Sequence, residues 1–178
     1  MKRALAGLTL VVVVAAGGFL WWGNGAGSVS LRPGTAELAA RWYGSTTGKV
    51  TLPAQLHWCP VTHVAMLEAV AGDTGIAVVF LERDALASGV HPVLAAAGGT
   101  GGPRPAATAA LRWLRVRGID TAVVGLRSEG GTAQLRVVGG VVSGEATVRM
   151  RAVLGADTAT LHLVFKGVPV VTTASGCT

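Results

Sequence analysis

Val50-Thr51-Leu52-Pro53-Ala54-Gln55-Leu56-His57-Trp58 is the stretch on which the fold turns. Apolar Val50, Leu52, Ala54, Leu56 and Trp58 alternate with Thr51, Pro53, Gln55 and His57, and a period of two belongs to an extended segment with one apolar face. Pro53 brings no backbone donor, so this strand is expected at a sheet edge or at a bulge.

Downstream the same alternation returns. Leu111 to Arg117, Thr121 to Arg127, Thr132 to Val138, Glu145 to Leu154 and Thr158 to Phe165 are rich in Val, Thr or Leu. Gly-bearing segments divide them, Glu129-Gly130-Gly131 and Gly139-Gly140 among them, and the spacing predicts an antiparallel meander. In the fourth, Ala146, Val148, Met150, Ala152 and Leu154 face one way while Thr147, Arg149 and Arg151 face the other, the mark of a half-buried sheet. Ile76 to Leu81 is wholly apolar and suits a buried strand.

Two stretches read as helix. Thr35 to Tyr43 follows Pro33-Gly34 and sets Leu38, Trp42 and Tyr43 on one side. Val61 to Ala71 has Thr62 as cap, a stripe of Val64, Leu67 and Ala71, and Gly72 as stop. Asp84 to Ser88 suits one helical turn, and Gly98 to Thr108 reads as a loop that can serve as an interaction arm. The fold class is therefore mainly β: an antiparallel β-sheet domain over 35–178 with one or two short helices.

Upstream of that domain, Lys2 and Arg3 precede an uncharged apolar run from Ala4 to Trp22. At ~1.5 Å per residue this run spans roughly 28 Å, close to a bilayer's hydrocarbon core. Trp21 and Trp22 fall where an aromatic belt meets the interface, and no small-residue cleavage pattern follows, so 1–22 is expected to be an uncleaved transmembrane signal-anchor. Residues 23–34 are a Gly- and Ser-bearing juxtamembrane linker, with a short strand over 28–31. The basic N-terminus places that end in the cytoplasm and the bulk of the chain on the periplasmic side of an inner membrane. Cys59 and Cys177 are the only cysteines, and in an oxidising compartment they can form one disulfide.

Composition narrows the function classes. The 178 residues are 51% hydrophobic and 13% charged with 26 Gly, which argues against disorder. Lys and Arg number 15 against 9 Asp and Glu, a net charge of +6. No basic run interleaved with aromatics marks a nucleic-acid groove, so anionic lipid or an acidic protein face is the expected partner.

Catalytic and cofactor patterns are lacking in the sequence. His57, Cys59 and His63, with His91 further on, are residue types that bind zinc, but His-x-Cys-x3-His matches no common zinc spacing. There is no Gly-x-Ser-x-Gly elbow, and Gly98-Gly99-Thr100-Gly101-Gly102 runs into Pro-Arg-Pro, which excludes a P-loop. We expect no catalytic residue, metal or cofactor. The informative set is Arg112, Arg115, Arg117, Arg127, Arg136, Arg149 and Arg151. Arg149 and Arg151 lie two apart on one strand and project from the same face, so neighbouring strands can assemble a basic stripe.

Trp42-Tyr43-Gly44-Ser45-Thr46-Thr47-Gly48-Lys49-Val50, then Leu56-His57-Trp58-Cys59-Pro60, resembles the W-x-G-x-x-x-G and L-x-W-x-x-P cadence of the N component of type II secretion systems. The likeness covers 42–117, including Leu111-Arg112-Trp113, and implies one N-terminal anchor with a periplasmic β domain. By topology alone, the chain is similar to accessory subunits that hold reaction centre and antenna rings together in some phototrophic bacteria.

The sequence thus points to a non-enzymatic accessory subunit that anchors in the membrane and clamps a larger complex. Trp21, Trp22, Arg104, Arg149 and Arg151 are its expected contacts with neighbouring subunits and lipid. The alternatives are a secretion-system component and a periplasmic ligand-binding or enzymatic domain built on His57, His63 and His91.

Overall fold

The computed structural model describes residues 35–96, 102–173 and 177. Trp21, Trp22, the anchor and the linker with its strand over 28–31 lie outside these residues. The described part is built from strands: β1 (Glu37–Gly44), β2 (Gly48–Cys59), β3 (Val64–Ala71), β4 (Thr74–Leu81), β5 (Gly89–Val93), β6 (Ala106–Arg117), β7 (Asp120–Val138), β8 (Val141–Ala152) and β9 (Thr158–Thr172). They close into a barrel in the order β1-β2-β3-β4-β6-β5-β7-β8-β9, and β1 returns to pair antiparallel with β9.

Both expected helices are strands. Leu38 and Trp42 are four apart and satisfy a helical stripe, but Leu38, Ala40 and Trp42 together are the inward face of β1. Ala65, Leu67 and Ala69 do the same in β3, and the chain before it, Pro60 to His63, is a turn. Alanine, neutral on a hydrophobicity pattern, is what concealed the period of two. Asp84 to Ser88, expected as a helical turn, holds none: residues 84–85 are bends and 86–88 carry no regular structure.

The largest departure from the meander lies in β7. Thr121 to Arg127 and Thr132 to Val138 belong to one strand, and Glu129-Gly130-Gly131 is not a turn between them but a place where the register with β8 slips between Ser128 and Gly130. Gly131 has a φ of +136°, and a Cβ there would collide with the Thr147 carbonyl of β8. Glycine is therefore required by close backbone approach. Gly139-Gly140, with φ of 58° and 76°, does form the β7–β8 turn.

Alternation directs one side chain in two to the barrel axis, and a barrel of about eight strands has an interior just wide enough for side chains to fill. Phe80, Phe165, Leu56, Leu67, Leu111, Met150 and Leu161 are fully buried there, with Ala40, Ala65, Ala69, Ala109 and Ala133 between them. Two glycines make room for the largest rings. A Cβ at Gly48 would fall within the Trp42 indole, and one at Gly144 would strike Phe165. The described interior residues thus form one packed apolar core.

Pro53 sits where β2 changes partners. Its first half, to Pro53, pairs with β1, and from Ala54 onward β2 pairs with β3. Ala54 N–H donates to Ala36 O of the segment leading into β1 at 2.9 Å, so the position with no donor faces the side where the β3 pairing has not begun.

The end of β2 and the last strand meet at a reinforced seam. Val170 to Thr172 run parallel to Leu56 to Trp58, Thr173 N–H donates to Trp58 O at 3.0 Å, and a Cys59–Cys177 disulfide with Cα atoms 5.6 Å apart closes the corner.

Candidate interaction face

The outer wall of β7, β8, β9, β1 and β2 carries a band of basic residues, assembled by register. Across β7 and β8, Arg127 stands directly opposite Arg151, and Arg149 stands opposite Gly130. β1 and β2 repeat the juxtaposition, with Arg41 directly opposite Lys49. Between them, β9 places His162 beside both Arg41 and Thr147.

Like charges directly opposed across an antiparallel pair destabilise a sheet, by about as much as an opposite pair stabilises it, ~0.2–1 kcal/mol. Here the arrangement occurs twice on one wall. Partial relief comes from Glu129, which accepts from Arg151 Nε, an exposed pair that contributes little in water. The Arg149 guanidinium lies over the bulge, 2.6 Å from where a Cβ of residue 130 would be, a contact that the end of this flexible side chain relieves by shifting.

His162 joins the two halves of the band. Its Nε2 is 3.0 Å from the Tyr43 hydroxyl and its Nδ1 is 3.0 Å from Thr147 Oγ1. The Tyr43 ring stacks on the imidazole with centroids 5.5 Å apart. Burial, and then the Arg41 guanidinium beside it, lower the His162 pKa below its ordinary 6.5. Both effects favour the neutral ring, in which one nitrogen donates and the other accepts. Phenol and hydroxyl occupy both nitrogens, and the set forms a surface polar network in a positive field.

The other expected site residues are dispersed. Arg149 and Arg151 share the outer face of β8, with Met150 buried between them. Arg104 turns back on its own chain and donates from one guanidinium nitrogen to the Thr62, His63 and Glu82 carbonyls at 2.9, 3.2 and 2.7 Å. It fastens the end of the Gly98 to Thr108 segment to the neighbouring turn. That segment is described only from Gly102, and Ala106 to Thr108 already belong to β6.

The histidines of the alternative site are not brought together. His57 projects outward from β2, opposite Met66 of β3. His63 stacks on Trp58 with ring centroids 6.4 Å apart, and His91 is interior, its Nε2 2.9 Å from Glu82 Oε1. Glu82 and His91 are 4% and 2% exposed, a buried pair under the Phe80 ring edge. Cys59 is committed to its disulfide. Among the described residues, no group of three or more His, Cys, Asp or Glu is placed to hold a metal ion.

Lys49, Arg41, Tyr43 and His162 were not singled out for this face by sequence reasoning, nor was the Glu82–His91 pair. His162 lies on β9, far in sequence from Arg41, Tyr43 and Lys49, and only the strand order joins it to them; Glu82 lies outside the strands, nine residues ahead of His91. A usable signal existed in Arg41 alone, the charged residue of a segment otherwise apolar from Leu38 to Tyr43.

No family model, curated protein or solved structure matches the chain.

Proposed function

We propose that the chain is a non-enzymatic accessory subunit, tethered to the membrane through residues 4–22, that clamps a larger membrane complex by docking the β7–β8–β9–β1–β2 wall onto an acidic protein face. The observation that carries this reading is the like-charge opposition of Arg127 and Arg151 across β7 and β8, with Arg149 on the same face. A sheet gains nothing by itself from that arrangement. An apposed row of carboxylates converts the repulsion into complementary pairing, and arginine's planar fork suits carboxylate recognition. Assemblies of the kind that hold photosynthetic reaction centres and antennae together fit this reading, and the type II secretion N component shares its expected topology.

The test is mild detergent extraction of the native membrane, followed by size separation and mass spectrometry. The full-length chain is expected to migrate with a large complex, and Arg149→Glu with Arg151→Glu to weaken that recovery at moderate salt. Migration as a free monomer with its leader removed would overturn both tether and clamp. Recovery of the double variant equal to wild type would remove the β8 arginines from the contact.

A further inference from the structure

β6 and β7 are longer than the barrel needs. β6 last pairs with β4 at Arg112, opposite Gly75, and β7 begins pairing with β8 at Leu126, opposite Ala152. From Trp113 opposite Val124 to Arg117 opposite Asp120, the two strands pair only with each other. They form a two-stranded arm that continues past the rim for ~20 Å, at ~3.3 Å per residue from Arg112 to Ile119. Trp113 roots it by packing on Trp42, with ring centroids 5.4 Å apart.

The arm is apolar where hairpins are ordinarily polar. Gly118, at φ +63°, takes the first central place of a two-residue turn. Ile119 takes the second and is wholly exposed at 101%. Behind it on the outer face stand Val116, Val123 and Leu114, exposed at 66%, 68% and 41%, and the adjacent β8–β9 turn adds Leu154 at 88%. A contiguous exposed patch of this kind on a soluble domain marks a contact surface.

Charge identifies the occupant. Arg112 shares the outer face of β6 with Leu114 and Val116, Arg115 lies on the other face, and the arm's one carboxylate, Asp120, stands opposite Arg117 in the register. The rim carboxylate Asp73, of the β3–β4 turn, lines a surface depression with Leu114 and Val123 at the arm's root, behind the tip at Ile119. An apolar tip with guanidinium groups set back from it matches the gradient of a bilayer interface, hydrocarbon below and phosphate above. The headgroup layer is only about 5–8 Å deep, so the arm lies obliquely on it, with Ile119 at the acyl boundary and Arg115, about 13 Å back along the strand, brought to the phosphates by that tilt.

We infer that the β6–β7 arm dips into an anionic bilayer, with Ile119, Val116, Val123 and Leu114 entering the interface and Arg112 and Arg115 pairing with lipid phosphates. The contact is independent of the basic wall and of its protein partner.

The test uses the full chain with an Ile119→Cys variant carrying an environment-sensitive fluorophore, and Val61→Cys at the opposite rim as control. Both are mixed with vesicles of phosphatidylcholine alone or with phosphatidylglycerol, some bearing nitroxide lipid. Blue-shifted, nitroxide-quenched emission is expected at 119 and not at 61, and only with phosphatidylglycerol. Arg112→Gln and Arg115→Gln are each expected to lower the inserted fraction about fivefold, the worth of one interfacial arginine. Emission at 119 that stays water-like in both vesicles would overturn the inference. So would a blue shift that follows protein concentration without lipid, which would mean a second copy covers the arm. Flotation reports separately on 4–22: a chain that floats with position 119 in water keeps the tether and loses the arm. One that floats only with the arm intact does the reverse, and one that never floats loses both.

Discussion

The hairpin of β6 and β7 contains two regions that differ only in their neighbours. In the half nearer Ala106, Leu111 and Leu126 oppose each other and are buried within the barrel, with β4 on one side and β8 on the other. In the half beyond Trp113, the same register continues, but the residues pair with one another alone. A lone two-stranded hairpin is marginal in water. The outer half therefore persists because the inner half is fixed, and its sequence is free to serve contact where the inner half must serve packing.

The difference can be broken most severely at the core. Phe80→Ala removes a fully buried ring packed against Phe165 and His91, and is expected to cost about 3–5 kcal/mol in denaturant unfolding. Ile119→Ser at the arm tip is expected to stay within about 0.5 kcal/mol of the parent in the same experiment. A loss at Ile119 approaching that at Phe80 would mean that the arm is itself packed in the unbound protein. Between these extremes lies Gly131→Ala, which adds a Cβ at φ +136° against the Thr147 carbonyl, and about 1–3 kcal/mol is expected. If β7 tolerated it, the arm and the barrel body would be joined more loosely than the register implies.

The smallest effect is one of pH, on the basic wall. Because the folded His162 pKa is lowered beneath the unfolded 6.5, the unfolded chain takes up the proton first as pH falls. Stability from this group is full above pH 6.5 and is lost as pH drops toward the folded pKa. His162→Gln should flatten that part of the profile. NMR titration of the imidazole in the presence of an acidic partner should move its pKa upward, as carboxylates offset Arg41.

Much of the β class was legible in the chain, and the reasons for what was not are local. Val50 to Trp58 alternates bulky apolar with polar residues, so its period was unambiguous. β1 and β3 place Ala40, Ala65 and Ala69 on their inward faces, and a stripe with alanine in it satisfies both three-four and two spacing. Gly130-Gly131 carries the composition of a turn but serves close approach inside a strand. Arg149 and Arg151 on one face followed from alternation alone. That Arg127 opposes Arg151, and Arg41 opposes Lys49, depended on partner choice and register, which no single strand encodes. Exposure of Leu114 and Val116 was hidden for the same reason, since their alternation is that of a buried strand and only the lengths of β4 and β8 leave them uncovered.

The Cys59–Cys177 bond, spanning 118 positions, makes the chain covalently a ring with a linear lead. Every strand from β3 to β9 belongs to the ring, while β1 and most of β2 belong to the lead. A single proteolytic nick anywhere between the two cysteines opens the ring without releasing a fragment, and the strands on either side of the nick keep their neighbours. A nick ahead of Cys59 instead breaks the covalent link to the lead, leaving β1 and whatever is attached to it held only by the pairing of β1 with β2 and β9. The protein is thus tolerant of cleavage over most of its length and sensitive to it in the turn before β2, where Ser45 to Thr47 join the two strands of the lead.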